Sequence, residues 1–101
     1  MLSVAMLANA EILAHAMMAR SAGLSEDEWK LIYILIKRGF KYCILSGNDR
    51  PGIVLRSEKV LSEKEVTSAL IPVDVLTRKH GVEYIQFIND AKQLVLFLPR
   101  F

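Results

Sequence analysis

Cysteine is almost missing from this sequence: Cys43 is the single thiol in 101 residues. The chain therefore cannot close an internal disulfide or build a cysteine-based zinc site, and it fits a reducing interior, with the cytoplasm as the expected location. Histidine is nearly as scarce, with only His15 and His80. There is no Gly-rich phosphate loop, no HExxH and no G-x-S-x-G, so any catalysis would have to come from scattered residues. Neither sign of charge dominates, since the formal net charge is +2 and the pI about 8.8. Charge alone identifies a nucleic-acid binder only when it forms a patterned basic stripe. The apolar stretch over residues 1–22 is broken by Asn9, Glu11 and His15. It falls short of the roughly 18 uninterrupted apolar residues of a membrane span and lacks the basic start of a signal peptide. A buried helix is expected there, and no membrane partner.

What is abundant is apolar side chain, at 52% of the residues. A domain of this size buries only about two-thirds of its unfolded surface, so the surplus points to faces that a partner chain covers. With no repeat, low-complexity tract or linker, residues 1–101 read as one domain: an N-terminal helix over 1–23 and an α/β unit over 24–101.

Local signals place the elements. Gly23 is a left-handed stop for a helix over Met6 to Ala22. Ser25 with Glu28 forms a capping box, flanked by Leu24 and Trp29 as a hydrophobic staple, and the helix it starts runs to Arg38 with Gly39 as its stop. Tyr42 to Leu45 reads as a strand, followed by a turn-forming cluster from Gly47 to Gly52. Ile53 to Leu61 and Val66 to Ile71 read as two further strands separated by a charged turn at Ser62 to Glu65. A short helix is expected from Val73 to Lys79, with Pro72 in its first turn and Gly81 as its end. Val82 to Ile88 and Leu94 to Leu98 form a hairpin around Asn89, Asp90, Ala91, Lys92 and Gln93. The fold class is thus α+β, a small mixed sheet flanked by helices and preceded by an N-terminal helical pair. Leu94-Val95-Leu96-Phe97-Leu98 has no polar side, so this last strand should be covered on both faces although it lies at the sequence end.

Few residues invite chemistry. His15 sits in an apolar helix and reads as a packing or interface residue. Arg78, Lys79 and His80 suit a helix C-terminus, where cations meet the negative dipole end, and are also the candidate RNA contacts. Pro72-Val73-Asp74 followed by Glu83 resembles a metal-nuclease pattern in outline, but Gln86, Phe87 and Ile88 stand where its lysine belongs, and no metal site is expected. Lys37, Arg38 and Lys41 with Tyr42 read as a solvated helix end and secondarily as a nucleic-acid patch. Glu26, Asp27 and Glu28 read as helix capping, and Asp90 as a turn former.

The element order, together with Leu31 to Phe40 (LIYILIKRGF) and Arg78 to Phe97 (RKHGVEYIQFINDAKQLVLF), resembles the C-terminal domain of archaeal tRNA-splicing endonucleases over residues 25–101. That family uses a Tyr base, a His acid and a Lys to cleave RNA at a 2′-hydroxyl. Arg56 stands nearest the tyrosine position, residues 57–71 hold no histidine, and Lys79 falls about two positions from the lysine. The resemblance therefore implies a non-catalytic structural subunit without a cofactor. It would join a catalytic endonuclease subunit as a dimer of heterodimers and meet precursor tRNA through that complex. On the same basis Leu94, Val95, Leu96, Phe97, Leu98 and Phe101 would form the partner contact by strand pairing. Asn89, Asp90 and Lys92 would present the acidic loop to a basic pocket. The alternatives are a small homodimeric nucleic-acid-binding module with a winged-helix arrangement, or a metal-dependent nuclease-like protein.

Overall fold

The computed structural model describes residues 17, 21, 23–45 and 51–101. Of the expected helix over Met6 to Ala22 only Met17 and Ser21 are described, both helical; the rest of it, with His15, and most of the turn after Leu45 lie outside the described residues.

Ser25 begins helix α1 (Glu26–Lys37) through a complete capping box: its hydroxyl accepts from the Glu28 N–H at 3.2 Å, and Glu28 Oε1 accepts from the Ser25 N–H at 2.8 Å. This satisfies two of the amide groups that a helix start leaves unpaired. Leu31, Ile32 and Leu35 fall on one side at helical spacing and are fully buried, each contributing about 1.5–3 kcal/mol. Gly39, at φ 87°, turns the chain into β1 (Phe40–Leu45), which pairs antiparallel with β2 (Gly52–Ser57) from Phe40↔Ser57 to Leu45↔Gly52.

The segment expected as a strand over Val66 to Ile71 is instead the first half of a long helix, α2 (Glu63–His80). Its cause is a second capping box: the Ser62 hydroxyl accepts from Glu65 N–H and Glu65 Oε1 accepts from Ser62 N–H, both at 3.2 Å. Residues 62–65 are a helix start, not a turn. Pro72 therefore lies in the helix interior, where it cannot donate to the Ser68 carbonyl one turn earlier. The guanidinium of Arg38 donates to that carbonyl and, at 3.1 Å, to Ser68 Oγ. A side chain from the end of α1 thus replaces the amide that proline lacks. Gly81 ends the helix in the left-handed conformation, φ 68°.

The expected hairpin forms as β3 (Ile85–Ile88) and β4 (Leu94–Pro99), but its first strand is shorter than the expected Val82 to Ile88, since Val82, Glu83 and Tyr84 are not in the strand. The four strands run in the order β1-β2-β4-β3, antiparallel at every pairing, and with the helices they make an α+β fold. Strand alternation sends Ile53, Leu55, Leu94, Leu96 and Leu98 to the inner face, where they meet Leu31, Ile32 and Leu35 of α1 and Ala69 and Val73 of α2. The buried Ser57 hydroxyl donates to Lys59 O and accepts from Leu94 N–H at 2.9 Å, joining the end of β2 to the start of β4. No helix among the described residues is long and apolar enough to cross a membrane.

Candidate interaction surface

The final strand is not an edge. β4 lies between β2 and β3, so its main chain is already paired on both sides, and Leu94, Val95, Leu96 and Leu98 are buried within this chain. Leu94 to Leu98 is covered because it runs through the sheet's middle, which corrects its assignment as a strand awaiting a partner. Phe97 is half-buried, with its ring lying over Gly52. A Cβ built on Gly52 would come within 2.8 Å of that ring and 2.5 Å of the Leu98 carbonyl oxygen.

The edge role passes to β3. All four of its residues are exposed, and Ile85, Phe87 and Ile88 are each more than half exposed, at 51%, 51% and 53%. An apolar strand with no neighbour on its outer side among the described residues is a ready template for another strand, and no charge or proline on it opposes pairing. Glycine-free and short, it pairs on its inner side with β4 from Ile85↔Phe97 to Ile88↔Leu94.

The adjoining turn is built by Asn89. Its side-chain carbonyl accepts from Gln93 N–H at 2.8 Å, its amide donates to Gln93 Oε1 at 3.0 Å, and its backbone carbonyl accepts from Lys92 N–H at 2.9 Å. Lys92 takes the left-handed conformation, φ 63°. These bonds use Asn89 and Gln93 and leave Asp90 exposed at the tip without an ion pair among the described residues.

Two of the three candidate RNA contacts are engaged elsewhere. Asp27 at the start of α1 accepts from Lys79 Nζ at 3.0 Å and lies 2.8 Å from His80 Nε2. The hydrogen bond from Lys79, then that from His80, holds the Asp27 carboxyl below the usual aspartate range. His80 also stacks on Phe101, centroids 4.2 Å apart, so Phe101 is tied to this chain's own helix end. Next to it Arg100 donates to the Gly23 carbonyl and brings Nε within 3.7 Å of the buried Glu28 Oε2. Arg78 lines an open cavity of about 300 Å³ with Asp74, Thr77, Val82, Glu83 and Tyr84. Asp74 and Glu83 of the metal-nuclease pattern both line this cavity, and Asp74 accepts a 2.6 Å hydrogen bond from the Tyr84 hydroxyl. Burial first, then the Asp74 bond and charge, push Tyr84 up to about 12. Of the Lys37, Arg38, Lys41 and Tyr42 patch, Arg38 serves Ser68, and Lys37 sits 5.5 Å from the centroid of the Tyr33 ring.

The sheet's outer face was not foreseen. Alternation places Lys41, Arg56, Val95 and Phe87 in one row across the four strands and Cys43, Val54, Phe97 and Ile85 in the next. The signal available in sequence was the second periodicity of each strand, Phe87 and Ile85 opposite Gln86 and Ile88. Comparison with known proteins finds no matching family model, no matching curated protein and no matching solved structure.

Proposed function

We propose that this chain is a non-catalytic assembly subunit that joins a catalytic partner, as a dimer of heterodimers, in a cytoplasmic tRNA-splicing endonuclease acting on precursor tRNA. The observation that carries the reading is an exposed apolar edge, β3, beside a turn whose exposed Asp90 has no ion-pair partner among the described residues. Edge addition gives main-chain hydrogen bonds and apolar burial, while a carboxylate on the neighbouring turn fixes register against a basic pocket. The resemblance over residues 25–101 supplies the identity of the complex. The order helix, two strands, helix, hairpin is in keeping with it, apart from α2 replacing a short strand and short helix. Arg56 at the position nearest the family's tyrosine is permanently cationic and cannot act as a general base, which supports a structural role.

The test is co-expression with a catalytic tRNA-splicing endonuclease subunit, reading molar mass by light scattering and cleavage of an intron-containing tRNA. A stable heteromer that cleaves, weakened by Ile88→Lys and by Asp90→Ala, is the expected result. A chain that stays separate from every such subunit, or a complex indifferent to both substitutions, overturns the reading.

A further inference from the structure

We propose that the outer face of the sheet binds single-stranded RNA directly, with backbone phosphate held between Lys41 and Arg56 and bases stacked on Phe87 and Phe97. This goes beyond the assembly role, which concerns the β3 edge and the Asn89–Gln93 turn; on the broad outer face Lys41, Arg56 and Phe87 are exposed around a buried Val95.

The first observation is electrostatic. Lys41 and Arg56 are direct cross-strand partners on the same face, an arrangement that is unfavourable when nothing negative lies between them. Glu58 approaches Lys41 at 3.5 Å, but both side chains are more than half exposed, at 69% and 53%, so that pair is weak and readily exchanged. Arg56 is exposed and makes no ion pair among the described residues. Two cations set side by side over a hollow of about 350 Å³, lined also by Tyr42, Cys43, Val54 and Val95, form a seat for an anion.

The second observation is aromatic. Phe87 stands half-exposed on the outer face, two strands from Arg56 in the same row, roughly 10 Å across the sheet. Phe97 is its diagonal neighbour one row on, half-buried, with its ring lying over Gly52. A sheet face with an exposed ring on its edge strand and a half-buried ring beside it on the central strand is a stacking platform for unpaired bases, and a flanking basic pair tracks the phosphates. A protein partner would cover the rings but would have to bring carboxylates to both cations. A single nucleic-acid strand carries both complements in each nucleotide. Both described helices pack on the opposite face, so a strand can cross without displacing them.

The experiment uses the full chain and fluorescence anisotropy with a labelled oligo-uridine about ten nucleotides long, and an RNA duplex for comparison. The single strand should bind more tightly than the duplex. Phe87→Ala should weaken it by about 5- to 100-fold, and Arg56→Ala should lower the slope of log affinity against log salt by about 0.7. Lys64→Ala, on the helical side, should leave affinity unchanged, and circular dichroism should show all three variants folded. Absence of salt-dependent single-strand binding, equal binding of duplex, or indifference to Phe87→Ala overturns the proposal. So does finding that Phe87→Ala abolishes only association with a protein subunit. Loss of RNA binding in a variant whose assembly remains sensitive to Ile88→Lys separates this face from the edge.

Discussion

Arg38, the residue after α1, donates its guanidinium to the backbone carbonyl of Ser68 in the middle of α2. The bond exists because Pro72 has no N–H to offer that carbonyl, so a helix interruption in one element is repaired from another. Arg38→Ala should destabilise the fold by about 1 kcal/mol, because a charge-assisted bond is exchanged for one to water. In a Pro72→Ala background, where the amide is restored, the same substitution should cost less. A double-mutant cycle by urea denaturation checks this, and additivity would show that the two residues do not share the carbonyl.

Gly52→Ala should cost about 1–3 kcal/mol, the range of overpacking in a close-packed site. The added methyl meets the Leu98 carbonyl oxygen as well as the Phe97 ring, and a backbone atom cannot swing aside. Denaturation should show a lower midpoint at unchanged slope. Truncating the ring as well, with Phe97→Ala, should recover only part of the loss.

The Asp27 cluster makes stability depend on acid. Its carboxyl is held below the ordinary aspartate value by Lys79 first and His80 second. A carboxyl lowered in the folded state contributes stability that is present above its unfolded pKa, about 3.9, and is lost as pH falls through the lowered folded value. Asp27→Asn should therefore reduce stability at pH 7, and the gap from the parent should close as pH drops below about 4. A gap that stays constant with pH would mean the ionised carboxylate plays no part.

Arg56→Thr should raise stability by up to about 1 kcal/mol, since it removes a like-charge cross-strand pair and places a good strand former on β2. The same variant should bind single-stranded RNA less well. A residue whose removal helps folding and harms binding is held in place by its ligand contacts, and thermal melting with and without the oligonucleotide checks both halves.

How far the sequence announces this structure depends on the reach of each signal. The start of α1 at Ser25, the stops at Gly39 and Gly81 and the Asn89–Gln93 turn are written in residues a few positions apart, and each is where the pattern puts it. The first half of α2 was misread although Ser62 and Glu65 carry the same box as Ser25 and Glu28. Val66, Thr67 and Ile71 favour extended backbone, and a proline next to them argues against helix. The Ser68 carbonyl that this proline leaves without a donor is met by Arg38, thirty residues away in sequence. The strand order was beyond local reading, because the pairing of β2 with β4 spans the whole of α2. For that reason an all-apolar strand at the sequence end reads locally as a surface for a partner, whereas it is the middle of the sheet. The outer face followed from that error: until β4 is placed centrally, Phe97 and Phe87 have no common platform with Arg56.

The sheet is made of two hairpins, each local in sequence, stitched by one seam running from Gly52↔Pro99 to Arg56↔Val95. Hairpins form in microseconds, whereas the seam must wait for the chain between them to close a loop of roughly forty residues. Folding speed should then be governed by that single meeting of Ile53 with Leu98 and Leu55 with Leu96, and the slowest-exchanging amides should lie along it. Seen as a mechanical object, the sheet has one long-range seam, and it runs through the last strand of the sequence.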